Sequence, residues 1–182
     1  MSTVTTIPAG TYVIDPAHSE ASFVARHAMV TKVRGYFRDL AGSVVVRDDF
    51  TDSTATATMQ AESVDTGNAD RNAHLRSADF FNAENHPEIT FASTGIREID
   101  DDEFVLDGDL TIMGITKPVS LEVEYEGTAQ DPFGNTRVGF SAETDVNRED
   151  WGLTWNAALE AGGVLVSKKI KLALDISAIK QN

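Results

Sequence analysis

The chain reads as an all-β protein: an antiparallel, eight-stranded β-barrel with one or two short helices. Three observations predict this. Apolar and polar residues alternate with a period of two through most of the 182 residues, as half-buried strands require. The alternating runs are bounded by turn residues rather than by helical patterns. Counted by period, they make about eight or nine antiparallel strands, and closing them into a barrel removes the open edges that long strands would otherwise expose. One domain of residues 1–182 is expected, with its core at about 10–176.

The elements follow in order. Residues 10–14 form a first strand, stopped by Asp15-Pro16. In 19–28, Ala21, Phe23, Ala25 and His27 share a face. Residues 35–47 read as a third strand, ending before Asp48-Asp49. In 53–63, Ala55, Ala57, Met59 and Ala61 face one way and the intervening polar residues the other.

The alternation then stops. Asn68 or Asp70 caps a helix running to about Ser77, with Asp70 and His74 one turn apart on one face. Phe80-Phe81 follows, and Pro87 turns the chain back into extended structure. A plain barrel needs only a tight turn here, so this insertion predicts a segment that closes or lines an end.

Strands resume with Ile89, Phe91 and Ser93 on one face, then Phe104, Leu106, Gly108, Leu110 and Ile112. Val119, Leu121, Val123 and Tyr125 come next, opposite Glu122, Glu124 and Glu126. Val138, Phe140, Ala142, Thr144 and Val146 follow the loop 131–135. An irregular segment from Asn147 to Gly163 carries Trp151 and Trp155. The last strand is expected from about Val164 to Ile176.

The inward set mixes small residues (Ala21, Ala25, Ala55, Ala57, Ala61, Gly108, Ala142) with bulky ones (Phe23, Phe37, Phe91, Leu110, Ile112, Phe140). Such alternation fits the taper of a filled barrel, and it equally fits an apolar tunnel.

Fifteen basic and 29 acidic residues leave a net charge of -14. That balance argues against nucleic acid and against adsorption to anionic membranes. No cysteine is present, which excludes a disulfide framework and a thiolate metal site. The start of the chain lacks a secretory pattern, and no apolar run approaches the roughly 20 residues that span a bilayer. A soluble, cytoplasmic protein without stable membrane insertion is the expectation.

An ordered set of motifs runs along nearly the whole chain. It comprises Asp15-Pro16-Ala17-His18-Ser19 with Phe23 and His27, Gly35 with Phe37, the 74–91 segment, Gly108-Asp109-Leu110-Thr111, and Gly114-Ile115-Thr116-Lys117-Pro118-Val119. Arg148-Glu149-Asp150-Trp151-Gly152-Leu153 and Gly162-Gly163-Val164-Leu165-Val166-Ser167 complete it. In this order the chain resembles the YceI-like family of polyisoprenoid-binding proteins. The resemblance implies an extended, lipocalin-like barrel whose tunnel holds a polyisoprenoid, a quinone tail or a similar long-chain amphiphile. It implies no cofactor beyond that ligand, and a homodimer, since members are often dimeric. Many members are periplasmic; this chain reads as a cytoplasmic form. Lys168-Lys169 stands where many relatives carry acidic residues, a pair that would favour an anionic head group if it lies at the tunnel mouth.

The candidate ligand-binding residues are Phe23, Phe37, Ala57, Met59, Phe80, Phe81, Phe91, Leu110, Ile112, Phe140 and Trp155, with His74 and Arg76 at the head group. Arginine offers phosphate a planar fork. The structural alternative pairs Arg76 with Asp79 and His74 with Asp70. Arg148 reads either as part of a helix start, ion-paired with its acidic neighbours, or as the rim of the mouth. A metal-assisted enzyme using His18, His27 and His74 is a second reading, without any recognisable zinc motif behind it. A filled barrel acting as an interaction module is a third. With no nucleophile elbow and no glycine-rich phosphate loop, no catalytic residue is assigned.

Overall fold

The computed structural model of the chain describes residues 3–28, 30–156 and 166–182. Eleven strands form one sheet: β1 (Gly10–Ile14), β2 (Glu20–His27), β3 (Thr31–Phe37), β4 (Leu40–Val46), β5 (Thr54–Gln60), β6 (Val64–Asp65), β7 (Glu88–Asp100), β8 (Glu103–Ile112), β9 (Ile115–Gln130), β10 (Thr136–Asn147) and β11 (Lys169–Lys180). Every pairing is antiparallel. The order is β1-β4-β5-β7-β8-β9-β10-β11, and β1 also pairs with β11, which closes a ring.

The eleven strands are eight barrel strands, three of them broken. Both β1 and β2 pair with the same edge of β11, at Ile14↔Ala178 and Ala21↔Leu174. Likewise β1 pairs with β4 and β2 with β3, while β5 and β6 continue one another beside β4 and β3. The single strand expected over 35–47 is therefore two, β3 and β4, separated at Arg38-Asp39. The last strand begins at Lys169 and runs to Lys180, so the barrel extends four residues past the expected limit at Ile176. Val164 lies outside the described residues.

The break between β1 and β2 is held by Asp15. Its carboxylate accepts hydrogen bonds from Ala17 N (3.0 Å), His18 Nδ1 (2.7 Å) and Arg137 Nη1 (2.8 Å). Arg137 also donates to Asp131 at 2.8 Å, tying the corner to the β9–β10 loop. The Arg137 guanidinium first, and His18 second, hold the Asp15 carboxyl down at about 2.

In the half of the barrel beyond β5, the ring is open. Among the described residues the two-residue β6 has no strand partner on its far side, and β7 begins beside β5 at Gln60↔Glu88. The helix α1 (Ala69–Arg76) and the chain up to Pro87 occupy this side. Asn68 caps α1 by accepting from Arg71 N at 3.0 Å. The loop after it is bonded largely to itself, with Phe81 N donating to Leu75 O and His86 N to Asn82 O.

The core lies along the barrel axis. Phe23, Phe37, Met59, Phe91, Leu110, Ile112 and Phe140 are all buried. Two glycines shape it by absence of a side chain. A Cβ on Gly35 would stand 2.2 Å from the Phe23 ring, and one on Gly108 would stand 2.4 Å from the Phe91 ring. Each ring lies over its glycine, against the barrel wall, instead of projecting across the axis. Among the described residues no helix is long and apolar enough to cross a membrane.

Candidate functional site

Three adjoining cavities run from the α1 end toward the middle of the barrel. The innermost, about 90 Å³, is bordered by Ile14, Phe50, Phe104, Phe140 and Ile176. The next, about 160 Å³, is bordered by Phe23, Phe37, Met59, Phe80, Phe81, Leu110 and Ile112, among others. Ala57, Phe91, Leu121 and Leu174 border both, so these four side chains form the waist between two chambers of one apolar lumen. A vestibule of about 380 Å³ opens the outer chamber to the surface; Phe23, Ala25, Leu75, Phe80 and Val166 are common to both. The barrel is thus not filled, which separates it from the solid-core alternative.

The small residues on the inward faces are what leave this space. Ala21, Ala25 and Ala57 border the chambers and Ala142 the inner one. On β11, Ile170, Leu172, Leu174 and Ile176 line the lumen and remain only partly buried. Inward apolar side chains with residual exposure are expected where a wall faces a void rather than another wall.

The insertion supplies the outer closure. Phe81 packs edge-on against Phe37 at 5.5 Å and Phe23 at 6.4 Å. Phe80 meets Trp155 at 5.5 Å, and His74 stands edge-on to both, at 5.1 and 4.6 Å. His74 Nε2 bonds Asp79 at 2.9 Å, so its carboxylate partner lies beyond the helix and is not Asp70. Arg76 has no ion pair with Asp79 or any other described residue and borders none of the three cavities. The arginines that border the vestibule are Arg26 and Arg71.

Arg148 is the residue whose surroundings depart furthest from expectation. It is 5% exposed and borders the outer chamber. It does not pair with Glu149, which instead bonds Lys168 at 3.3 Å. Its Nε donates to Ser167 O at 2.8 Å, its Nη1 to Leu153 O and its Nη2 to Val166 O at 3.4 Å. Burial lowers its pKa from the usual guanidinium value. Trp151, beside it, donates from Nε1 to Leu110 O at 2.9 Å and fastens this segment to β8. Lys169 pairs with Asp145 at 3.4 Å, so each lysine of the 168–169 pair has an acidic neighbour, and neither borders the three cavities.

The histidines do not assemble. His18 is bound to Asp15 and His74 to Asp79, and among the described residues no three His, Cys, Asp or Glu side chains are grouped to hold a metal ion. Among the described residues His18, His27 and His74 are not brought into one such group.

A closed antiparallel barrel with a partitioned apolar lumen, opening through a vestibule that arginine and histidine side chains border, defines a lipocalin-like cavity protein. A profile of the YceI-like domain matches residues 12–178, and the chain belongs to the YceI-like family. A UPF0312 protein of Staphylococcus epidermidis is 40% identical over 162 residues, covering 86% of this chain and 90% of the relative. Burkholderia cenocepacia BcnA superposes with a TM-score of 0.79 at 20% identity, over 90% of this chain and 98% of that one. A polyisoprenoid binding domain from Saccharophagus degradans superposes with a TM-score of 0.70 at 13% identity, over 96% and 100%. At these identities the two structures establish likeness of fold.

Proposed function

We propose that this protein is a carrier that holds a long-chain amphiphile, of the polyisoprenoid or quinone class, with its tail in the lumen and its head in the vestibule. The observation that carries the reading is the contiguous apolar lumen, two chambers joined at Ala57, Phe91, Leu121 and Leu174. Membership of the YceI-like family and the fold shared with a polyisoprenoid binding domain support it.

Burial of each methylene is worth about 0.8 kcal/mol, so a five-carbon isoprene unit contributes about 4 kcal/mol before the costs of ordering. On this reading Phe23, Phe37, Ala57, Met59, Phe80, Phe81, Phe91, Leu110, Ile112 and Phe140 contact the tail. His74 and Trp155 border the head. No side chain is assigned a catalytic role.

The test is organic extraction of the purified protein followed by mass spectrometry, with melting curves in added polyprenyl phosphate, quinone or fatty acid. A ligand at 100 times its dissociation constant stabilises by about 2.7 kcal/mol. For a chain of this length that raises the midpoint by about 5–10 °C. No extracted lipid and no shift with any of the three would overturn the proposal.

A further inference from the structure

The β2–β3 hairpin has a charge balance opposite to that of the chain. Between Glu20 and Asp39 the sequence holds Arg26, His27, Lys32, Arg34 and Arg38 and no carboxylate, within a protein of net charge -14. Arg26, Lys32 and Arg34 are exposed and share one face of the hairpin, with Arg26 directly opposite Lys32. Like charges so placed are destabilising. Among the described residues none of the three has an acidic partner, whereas Arg38 bonds Asp65 at 3.3 Å. At the tip, Val30 is 74% exposed.

Arg26 and His27 border the vestibule, so the hairpin stands at the mouth of the lumen. The acidic turns, Asp48-Asp49 and 100–103, lie at the opposite end of the barrel, where β4 meets β5 and β7 meets β8. Crowding there is enough that Glu126, ahead of the other nearby acids, raises the Glu124 pKa. The two ends are separated by the 12 residues of β10, about 40 Å along the tilted strand and about 30 Å along the barrel axis. That is several times the Debye length of about 8 Å at physiological salt. A surface approaching the mouth therefore meets these cations, with Asp70 and Arg71 of the vestibule beside them, and not the acids of the far turns.

We propose that this hairpin docks the mouth of the barrel on an anionic lipid bilayer, with Arg26, Lys32 and Arg34 at the headgroup phosphates and Val30 in the interface. The balance of charge over the whole chain, which argues against such adsorption, averages over ends that the fold keeps apart. Docking would bring the vestibule to the source of an amphiphile. That use rests on the carrier reading, while the docking itself does not.

The experiment is co-sedimentation with vesicles of phosphatidylcholine alone or with one third phosphatidylglycerol, at low and high salt. Binding is expected only to the anionic vesicles and is weakened by salt. The triple variant Arg26→Gln, Lys32→Gln, Arg34→Gln should lose about fivefold in partition coefficient per charge, about 100-fold in all. A charge-matched control at the far end of the barrel, Arg47→Gln, Arg97→Gln, Lys180→Gln, should retain binding. Because the chain has no cysteine, Val30→Cys accepts a single polarity-sensitive dye in an otherwise native protein, and its emission should shift to the blue on anionic vesicles alone. No binding to the anionic vesicles, equal loss in the control, an unmoved dye spectrum, or binding to a short DNA duplex without binding to vesicles would each overturn the proposal. None of these readouts depends on what fills the lumen.

Discussion

Replacing Arg148 with methionine tests whether that buried cation is a structural strut. Methionine keeps much of the aliphatic volume beside the outer chamber and removes every donor. Of the three carbonyls the guanidinium serves, Val166 O keeps a second donor, Asn156 Nδ2 at 2.8 Å. Leu153 O and Ser167 O lose their arginine donors. An acceptor left unsatisfied in the interior costs about 1–3 kcal/mol; the Ser167 carbonyl is partly solvated and falls at the lower end. Relief from burying a charge offsets part of the loss. The net expectation is a destabilisation of about 2–4 kcal/mol, or about 5–15 °C in the melting midpoint for a chain of this size. Urea titration followed by the fluorescence of Trp151 and Trp155 measures it, since both indoles lie in the segment concerned. Arg148→Lys should recover only part of the loss, because an ammonium cannot reproduce the fork that reaches residues on both sides of the segment. A cost below about 1 kcal/mol for Arg148→Met, or full recovery by lysine, would refute the reasoning.

Ala57→Leu should obstruct the waist while filling space, leaving the melting midpoint unchanged or higher. If it excludes three methylenes of a tail, affinity for long chains falls about 50-fold, while that for chains ending before the waist is kept. Calorimetric titration with alcohols of graded length checks this, and equal losses at all lengths would refute it. Asp15→Asn concerns pH. The folded Asp15 carboxyl sits at about 2, below its ordinary 3.8, so its stabilisation is complete above about pH 5 and is lost as pH falls toward 2. Allowing for solvent screening, the variant should be about 1–2 kcal/mol less stable at pH 7. Melting curves of the two proteins should converge near pH 2; a constant gap would contradict the assignment.

Much of the fold is legible in period-two alternation, because each barrel strand has one wet and one dry face. The break at Asp15-Pro16 is visible too, since proline cannot continue the ladder. The break at Arg38-Asp39 is not: neither residue opposes strand structure, and only the curvature of the closed sheet places a corner there. The Asn68 cap and the helix after it follow from local chemistry. The partner of His74 does not, because the chain folds back after Ser77 and presents Asp79, in place of Asp70 on the helix. Arg148 misleads for the same reason. Two acids follow it in sequence, yet the carbonyls it serves come from residues 153 and 166–167, distant in sequence from one another. Whether the interior is open cannot be read from residue volumes alone. It turns on Phe23 and Phe91 lying over Gly35 and Gly108, a pairing across strands that composition does not reveal.

The open side between β6 and β7 has a further consequence, for self-association. Among the described residues, β3 along Thr31–Gly35 hydrogen-bonds β2 on one side, and on the other β6 reaches only Tyr36 and Phe37 while α1 stands alongside. An unpaired strand margin of this kind is a template for joining sheets between molecules, and lysine or arginine placed along it opposes that joining. Lys32 and Arg34 occupy that margin. On that principle, neutralising the two cations should raise the tendency of the protein to polymerise even where its melting temperature is unaltered.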